Sequence, residues 1–243
     1  MNFDKHLFHP SMLGKLMSNK QGKKDTTCLA ELGETAKKAL QQIWIYETYG
    51  RKKEIDSKFL EKGNECEEDN ITLHSRVDQV FFKKNEEIIQ NEYFIGTPDA
   101  YLGETIYTAT EIEDFKTSWD IFTFHEALFS KDVNSDYELQ LNAYMDMTTA
   151  RTSYLRYGLV NTPEKMIEDE KRKLAWKMGL IDPHSDELYL KKAEMIELSM
   201  KYDDIPLSKR VHKVRVDYNA DLMDSVKKRV LIWREYLNSL NND

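Results

Sequence analysis

The chain has 243 residues, and no Pro-, Gly- or Ser-rich linker divides it, so we interpret residues 1–243 as a single domain. Hydrophobic residues make up 40% of the chain, which argues against wholesale disorder, yet no apolar run is long enough for a transmembrane helix. The formal net charge of −8 argues only weakly against a nucleic-acid partner, because basic segments lie near both ends and the acidic residues concentrate in the middle.

Helices are predicted in the first third of the chain. Ser11 precedes the apolar residues 12–17 and is placed where the N-cap of a short helix belongs. Apolar positions then recur at helical spacing over 29–46, and Gly50 stands where a C-terminal cap is expected. A further helical stretch is predicted over about 55–74.

Extended segments follow this helical region. Residues 77–82 carry valines and phenylalanines typical of a strand, and 88–95 resume an extended pattern after a polar turn. Residues 96–103 continue that pattern to another turn, and a third strand is predicted over 109–116. We expect these strands to form a three-stranded meander.

The rest of the chain alternates helices with strands. Its predicted elements are a helix over 137–150, a strand over 154–160, two helices between 163 and 208, a strand over 210–218 and a helix over 220–240. This order of elements predicts an α/β protein built around a mixed sheet.

Acidic and basic side chains are combined in the stretch 96–116. If its two extended segments are adjacent antiparallel strands, Asp99 and Asp114 meet at the same end of the sheet. Asp114 and Lys116 share a face because they are two residues apart, and Glu113 faces away from Lys116. Two carboxylates repel each other in one site, and a hard divalent cation such as Mg²⁺ would relieve that repulsion.

Pro98-Asp99 followed by Asp114-Phe115-Lys116 resembles the signature of the PD-(D/E)XK nuclease superfamily. Upstream, Gly63-x-x-x-Glu67 is similar to the acidic helix of its lambda-exonuclease-like and YqaJ-type members, and downstream Gln140-x-x-x-Tyr144 is similar to the helical motif of RecB-type nucleases. Helical spacing places Gln140 and Tyr144 on one face.

The resemblance implies a restriction-endonuclease-like core with a mixed central sheet flanked by helices. In this reading, residues 1–54 form N-terminal helices, 55–162 the catalytic core, 163–209 a helical insertion, and 210–243 a closing strand and helix. With Cys28 and Cys66 as its only cysteines, the chain cannot hold the four-cysteine iron–sulfur cluster of another branch of the superfamily.

Roles for individual residues also follow from the resemblance. Glu67, Asp99 and Asp114 would ligate Mg²⁺ or Mn²⁺, together with the backbone carbonyl of Phe115. Lys116 would position the attacking water. The remaining predicted site residues lie beside the phosphate or the DNA: Gln140 next to Lys116 or the scissile phosphate, and Ser11, Thr117, Ser118 and Tyr144 as DNA contacts, with Tyr144 alternatively supporting Gln140.

The function implied is a metal-dependent DNA nuclease, foremost an exonuclease acting on duplex ends in recombination or repair. An endonuclease on the same core is an alternative, and so is an inactive scaffold that binds DNA or protein, which the acidic net charge favours. The resemblance further suggests a ring-shaped homotrimer and a single-strand annealing protein as partner. Since the first residues carry no secretory signal, we expect a cytoplasmic protein without membrane contact.

Overall fold

A four-stranded mixed sheet lies at the centre of the computed structural model, which describes residues 1–21, 28–53, 57–130 and 132–241. Its strands are β3 (Ala100–Leu102), β4 (Glu111–Thr117), β5 (Thr152–Gly158) and β6 (Val211–Asp217), and β1 (Ile89–Gln90) and β2 (Ile95–Gly96) form a separate antiparallel pair. In the central sheet β3 is antiparallel to β4, β4 is parallel to β5, and β5 is antiparallel to β6. The predicted α/β class and mixed sheet are confirmed.

Helices surround this sheet. In chain order they are α1 (Leu13–Leu16), α2 (Glu34–Tyr49), α3 (Lys58–Glu65), α4 (Glu67–Asp78), α5 (Ile121–Phe129), α6 (Ser135–Asp146), α7 (Glu164–Lys177), α8 (Glu187–Met200) and α9 (Ala220–Ser239). The segment predicted as a helical insertion consists of α7 and α8 with a 3-10 turn between them. No helix in the described ranges is both long and apolar enough to span a membrane.

The N-terminal predictions hold in part. Ser11 is not a helix cap: it lies inside a 3-10 turn whose N-cap is His9, and its side chain caps neither that turn nor α1. Gly50 does end α2, with a φ of 62° that suits a residue lacking Cβ. The helix predicted over 55–74 is two helices that meet at Cys66, and its expected start at Ile55 lies outside the described residues, as does the 54/55 boundary.

The strand predicted over 77–82 is wrong. Residues 77 and 78 complete α4, which ends at Gln79 with a left-handed φ of 53°. The chain over 80–88 then runs without regular structure, although Phe82 is buried against Phe115 of β4. The expected meander is therefore replaced by β3 paired with β4 and by the small β1–β2 pair. A helix that the pattern did not predict, α5, begins after a reciprocal cap between Asp120 and Thr123.

Strand β4 is enclosed between α6 on one face and α4 on the other. Ile112 packs into the main hydrophobic core with residues of α2, α6 and α9, whereas Phe115 packs with Ile71 of α4. Close approach of α4 depends on Gly158 of β5, because a Cβ at this position would overlap the side-chain oxygen of the buried Asn70. This contact sets the height of α4, and of its first residues, above the sheet.

We expect Gly158→Ala to lower the free energy of unfolding by roughly 1–3 kcal/mol, because an added methyl group overpacks the contact with Asn70. In an Asn70→Ala background the overlapping amide is gone, so the same substitution should cost less. Urea unfolding of the four variants measures both costs. Equal costs in the two backgrounds would contradict the assigned role of Gly158.

Candidate active site

Asp99 and Asp114 occupy neighbouring positions of the β3–β4 pair. Ala100 is the register partner of Glu113, so Asp99, which directly precedes β3, lies beside Asp114 in the antiparallel arrangement. The carboxylate of Asp99 accepts a 2.7 Å hydrogen bond from the backbone N–H of Phe115. The structure thus brings the two predicted aspartates together at the edge of the central sheet.

Asp114 is fixed by contacts at both of its oxygens. The side chain is 1% exposed, its Oδ2 lies 2.7 Å from Nζ of Lys116, and its Oδ1 accepts a 2.9 Å hydrogen bond from Nε2 of Gln140. Alternation along β4 puts Lys116 on the face of Asp114, and α6 brings Gln140 over that face. The ammonium of Lys116 also lies 5.0 Å from the ring centre of Tyr137.

The charges of this group are not balanced. Burial, the neighbouring Asp114 and, more weakly, Glu67 raise the pKa of Asp99 to about 7, against the opposing effects of Lys116 and the Phe115 N–H. Burial by itself would lower the pKa of Lys116, but Asp114 and Asp99 outweigh it and the pKa is raised. Lys116 is therefore an ammonium at neutral pH, and it is paired with the buried Asp114 beside the half-buried Asp99.

Glu67 is engaged elsewhere in this structure. It is the first residue of α4, and its Oε1 lies 3.2 Å from Nζ of Lys84. Within the described ranges, no group of three or more His, Cys, Asp or Glu side chains is gathered in a way that could hold a metal ion. Of the predicted trio, Asp99 and Asp114 lie close together, whereas Glu67 forms an ion pair with Lys84.

The donor chemistry of the aspartate pair nevertheless suits a divalent cation. Asp99 and Asp114 supply hard carboxylate oxygens, which Mg²⁺ and Mn²⁺ prefer, and a cation would relieve the repulsion that raises the pKa of Asp99. Glu67 is near enough for its charge to act on Asp99. The ligand role of the Phe115 carbonyl stays a prediction.

Tyr144 is a support rather than a surface residue. It lies one helical turn after Gln140 and is 6% exposed, and its hydroxyl donates to the carbonyl of Thr97 at 3.2 Å. The ring is buried against the segment that leads to Asp99, so it does not face solvent in this structure, and the predicted DNA contact stays a prediction. The alternative role, support of the site, agrees with this position.

The other predicted DNA contacts differ in accessibility. Ser11 is exposed in a turn that packs against α6, so its hydroxyl can reach solvent. Thr117 accepts a 3.3 Å hydrogen bond from Asn70 and so points to the α4 side, away from Lys116. Ser118 is buried, and its N–H bonds to Gly158. Burial makes a DNA contact by the Ser118 side chain untenable in this conformation.

Glu113 belongs to a separate cluster on the opposite face of β4. It is fully buried and forms an ion pair with Arg156, whose Nη1 also donates to Asp78 at 2.7 Å. The guanidinium of Arg156 lies 4.4 Å from the ring centre of Phe82. Glu113 and Asp114, although adjacent in the sequence, therefore face opposite sides of β4, as strand alternation predicts.

Lys62, Lys84 and Tyr137 take part in the site or its supports but were not singled out from the sequence. Tyr137 lies three residues before Gln140, so helical spacing could have identified it. Lys84 was placed in a turn, and its partner Glu67 is brought to it only by the fold. Lys62 is 1% exposed, and its ammonium donates to the carbonyl of Trp119 at 2.7 Å, which holds the chain that leaves β4.

Solved structures similar to this chain include exonucleases. Neither a protein-family model nor any curated protein matches the chain by sequence. A solved phage-related exonuclease from Haemophilus somnus 129PT is 23% identical, with a TM-score of 0.71 over 97% of this chain and 95% of that one. The alkaline exonuclease LHK-Exo from Laribacter hongkongensis is 11% identical, with a TM-score of 0.63 over 97% and 90%, and its complex with dAMP has a TM-score of 0.61 at 12% identity over the same shares. The chain shares their fold.

The two acids of β4 should respond differently to neutralisation. Glu113→Gln removes the charge that faces the buried Arg156, and we expect a loss of about 2 kcal/mol in the free energy of unfolding. Asp114→Asn keeps an acceptor for Gln140 and removes a charge that repels Asp99, so its cost should stay below about 1 kcal/mol. Urea unfolding compares them, and an equal or larger loss for Asp114→Asn would contradict the described surroundings.

The buried ammonium of Lys62 should give the folded protein a distinct dependence on pH. Burial lowers the pKa of Lys62 to about 8, whereas Cys66 and Asp120 act in the opposite direction more weakly. Above pH 8 the unfolded chain binds more protons at this residue, so wild-type stability should rise by about 2 kcal/mol between pH 7 and 9.5 relative to Lys62→Met. Urea unfolding across this range tests it, and parallel pH profiles for the two proteins would refute it.

Proposed function

We propose that the protein is a divalent-metal-dependent deoxyribonuclease, an exonuclease that acts on the ends of duplex DNA in recombination or repair. The observation that carries the proposal is the group formed by the buried Asp114 and Gln140 with the half-buried Asp99 and Lys116 at the edge of the central sheet. Its occurrence on a fold shared with solved exonucleases supports the same conclusion. Phosphodiester hydrolysis needs a way to activate water and to stabilise negative charge, and this group has the residue types for both.

In the proposed reaction Asp99 and Asp114 hold Mg²⁺, for which Mn²⁺ can substitute, with Glu67 and the Phe115 carbonyl as further ligands. The bound ion supplies Lewis-acid stabilisation of the phosphate and lowers the pKa of a ligated water. We assign no iron–sulfur cluster to the protein, in keeping with its two cysteines.

The side chains around the aspartates have separate tasks in this proposal. Lys116, 2.7 Å from Asp114, orients the attacking water and places a positive charge beside the developing negative charge on phosphate. Gln140 holds one oxygen of Asp114, which fixes the direction of the other. Tyr144 supports the backbone before Asp99 through Thr97. Ser11, exposed on the adjoining turn, is the proposed contact for a DNA phosphate.

Proposed partners extend beyond the substrate. DNA is the substrate, and the net charge of −8 is compatible with this because the protein contacts DNA through a limited surface. A ring-shaped homotrimer and a strand-annealing protein as partner rest on the resemblance alone. The proposal places the protein in the cytoplasm.

We expect purified protein to release mononucleotides from linear 5′-phosphorylated duplex DNA when Mg²⁺ is present and to stop when EDTA is added. Asp114→Asn and Lys116→Met should each slow release by about two orders of magnitude or more while the protein remains folded. Asp217→Asn is the matched control, because Asp217 is an exposed strand aspartate paired with Arg215. Its rate should equal that of the wild type.

Closed circular duplex separates the alternatives in the same assay. An exonuclease leaves it intact, whereas an endonuclease on the same core cuts it. Absence of digestion of linear, circular and single-stranded DNA with either Mg²⁺ or Mn²⁺ would refute the nuclease and favour an inactive scaffold.

A further inference from the structure

Lys84 is the counter-ion of Glu67, one of the candidate metal ligands. Its Nζ lies 3.2 Å from Oε1 of Glu67, and 40% of the Lys84 side chain and 27% of the Glu67 side chain are exposed. In this structure Glu67 thus faces Lys84 and is not gathered with the aspartate pair. A carboxylate that already faces an ammonium is less available to a second cation, because the two positive charges repel each other.

The backbone next to Lys84 is held by hydrogen bonds, whereas its side chain is held by the ion pair with Glu67. Asn85, the next residue, is buried; its N–H donates to the carbonyl of Asp99 at 2.7 Å, and its side-chain amide donates to the carbonyl of Pro98 at 3.0 Å. The irregular segment 80–88 is thereby tied directly to the chain that carries Asp99. The four-carbon side chain of Lys84 keeps the freedom to leave Glu67 while its Cα stays beside the site.

A cavity of about 770 Å³ gives the ammonium somewhere to go. Its charged lining residues are two lysines, Lys83 and Lys84, and three glutamates, Glu86, Glu87 and Glu104. Its volume is in the range of ligand pockets. Because carboxylates outnumber ammonium groups in this lining, a DNA phosphate beside it would depend on the ammonium of Lys84.

We propose that Lys84 is a displaceable counter-ion, which neutralises Glu67 in the metal-free protein and contacts a DNA phosphate once a divalent cation has taken Glu67. The inference rests on the proposed nuclease function and deepens it. Its physical basis is an exchange of ionic partners. The incoming cation replaces the Lys84 ammonium at Glu67, and the released ammonium then pairs with a phosphate of the DNA. Metal and DNA binding are thereby coupled through one side chain.

Metal affinity is the first readout. Lys84→Met removes the ammonium and keeps most of the side chain, so DNA-free protein should bind Mn²⁺ about two- to fivefold more tightly, as expected from losing a partly exposed ion pair. Titration calorimetry with Mn²⁺ alone measures this. Lys83→Met is the matched control: Lys83 lines the same cavity but forms no ion pair within the described part of the chain, so its Mn²⁺ affinity should be that of the wild type.

The salt dependence of DNA binding is the second readout. With 5′-phosphorylated duplex and Ca²⁺, Lys84→Met should reduce the slope of log Kd against log salt by about one, since one phosphate contact is lost. In EDTA the wild type and Lys84→Met should share one slope, because Lys84 then faces Glu67. Any effect of Lys83→Met should be the same with Ca²⁺ as with EDTA.

Failure of this inference is distinguishable from failure of the nuclease proposal. If the wild type binds Mn²⁺ and digests DNA while Lys84→Met has unchanged Mn²⁺ affinity or a metal-independent change in slope, Lys84 is not a displaceable counter-ion. If the wild type and Asp114→Asn show the same absence of Mn²⁺ binding and digestion, both proposals fall. Lys84→Arg, which retains the charge, should keep the wild-type Mn²⁺ affinity and guards against a general structural effect of substitution.

Discussion

Repulsion between the neighbouring carboxylates of Asp99 and Asp114 is the constraint around which the site is built. The β3–β4 register places the two residues side by side through the backbone. Compensation comes from near neighbours: the Phe115 N–H on Asp99, and Lys116 and Gln140 on Asp114. These contacts do not fully offset burial and the charge of Asp114, which together raise the pKa of Asp99 to about 7. The divalent cation proposed above would add a further positive charge beside the pair.

The sheet also places two neighbouring acidic residues of β4 on opposite faces. Glu113 and Asp114 are neighbours in sequence, yet one faces Arg156 beneath α4 and the other faces Lys116 and Gln140 beneath α6. A one-residue slip of β4 would turn Glu113 towards α6 and Asp114 towards α4. Glu113 would then lose Arg156, and Asp114 would lose Gln140. The Glu113–Arg156 pair therefore helps to specify the register on which the site depends, and the close approach of α4 at Gly158 completes that side of the sheet.

Local rules were sufficient for the part of the site carried by regular elements. Strand alternation places Asp114 with Lys116, antiparallel pairing adds Asp99, and helical spacing links Gln140 to Tyr144. These rules did not predict the segment 77–88, because Val80, Phe81 and Phe82 are residue types enriched in strands. What decides there is distant: α4 ends in a left-handed turn at Gln79, and Phe82 packs on Phe115 and Arg156 instead of pairing with a strand. The path of the chain after α4 also brings Lys84 to Glu67, a contact that no spacing in the sequence predicts.

Lys116 and Lys84 have the same side chain but differ in how firmly the backbone and neighbouring residues hold it. Lys116 is part of β4, lies against Tyr137 and has one strong partner, so its ammonium is held in place. Lys84 projects from an irregular segment that is held by Phe82 and Asn85 on either side of it, and a larger share of its side chain is exposed. For the proposed nuclease, a fixed ammonium suits the orientation of a water molecule at every turnover, whereas an ammonium that can exchange partners suits the binding and release of a polyanion. On that proposal, the Lys84 side chain would bring positive charge to the DNA although the chain as a whole is acidic.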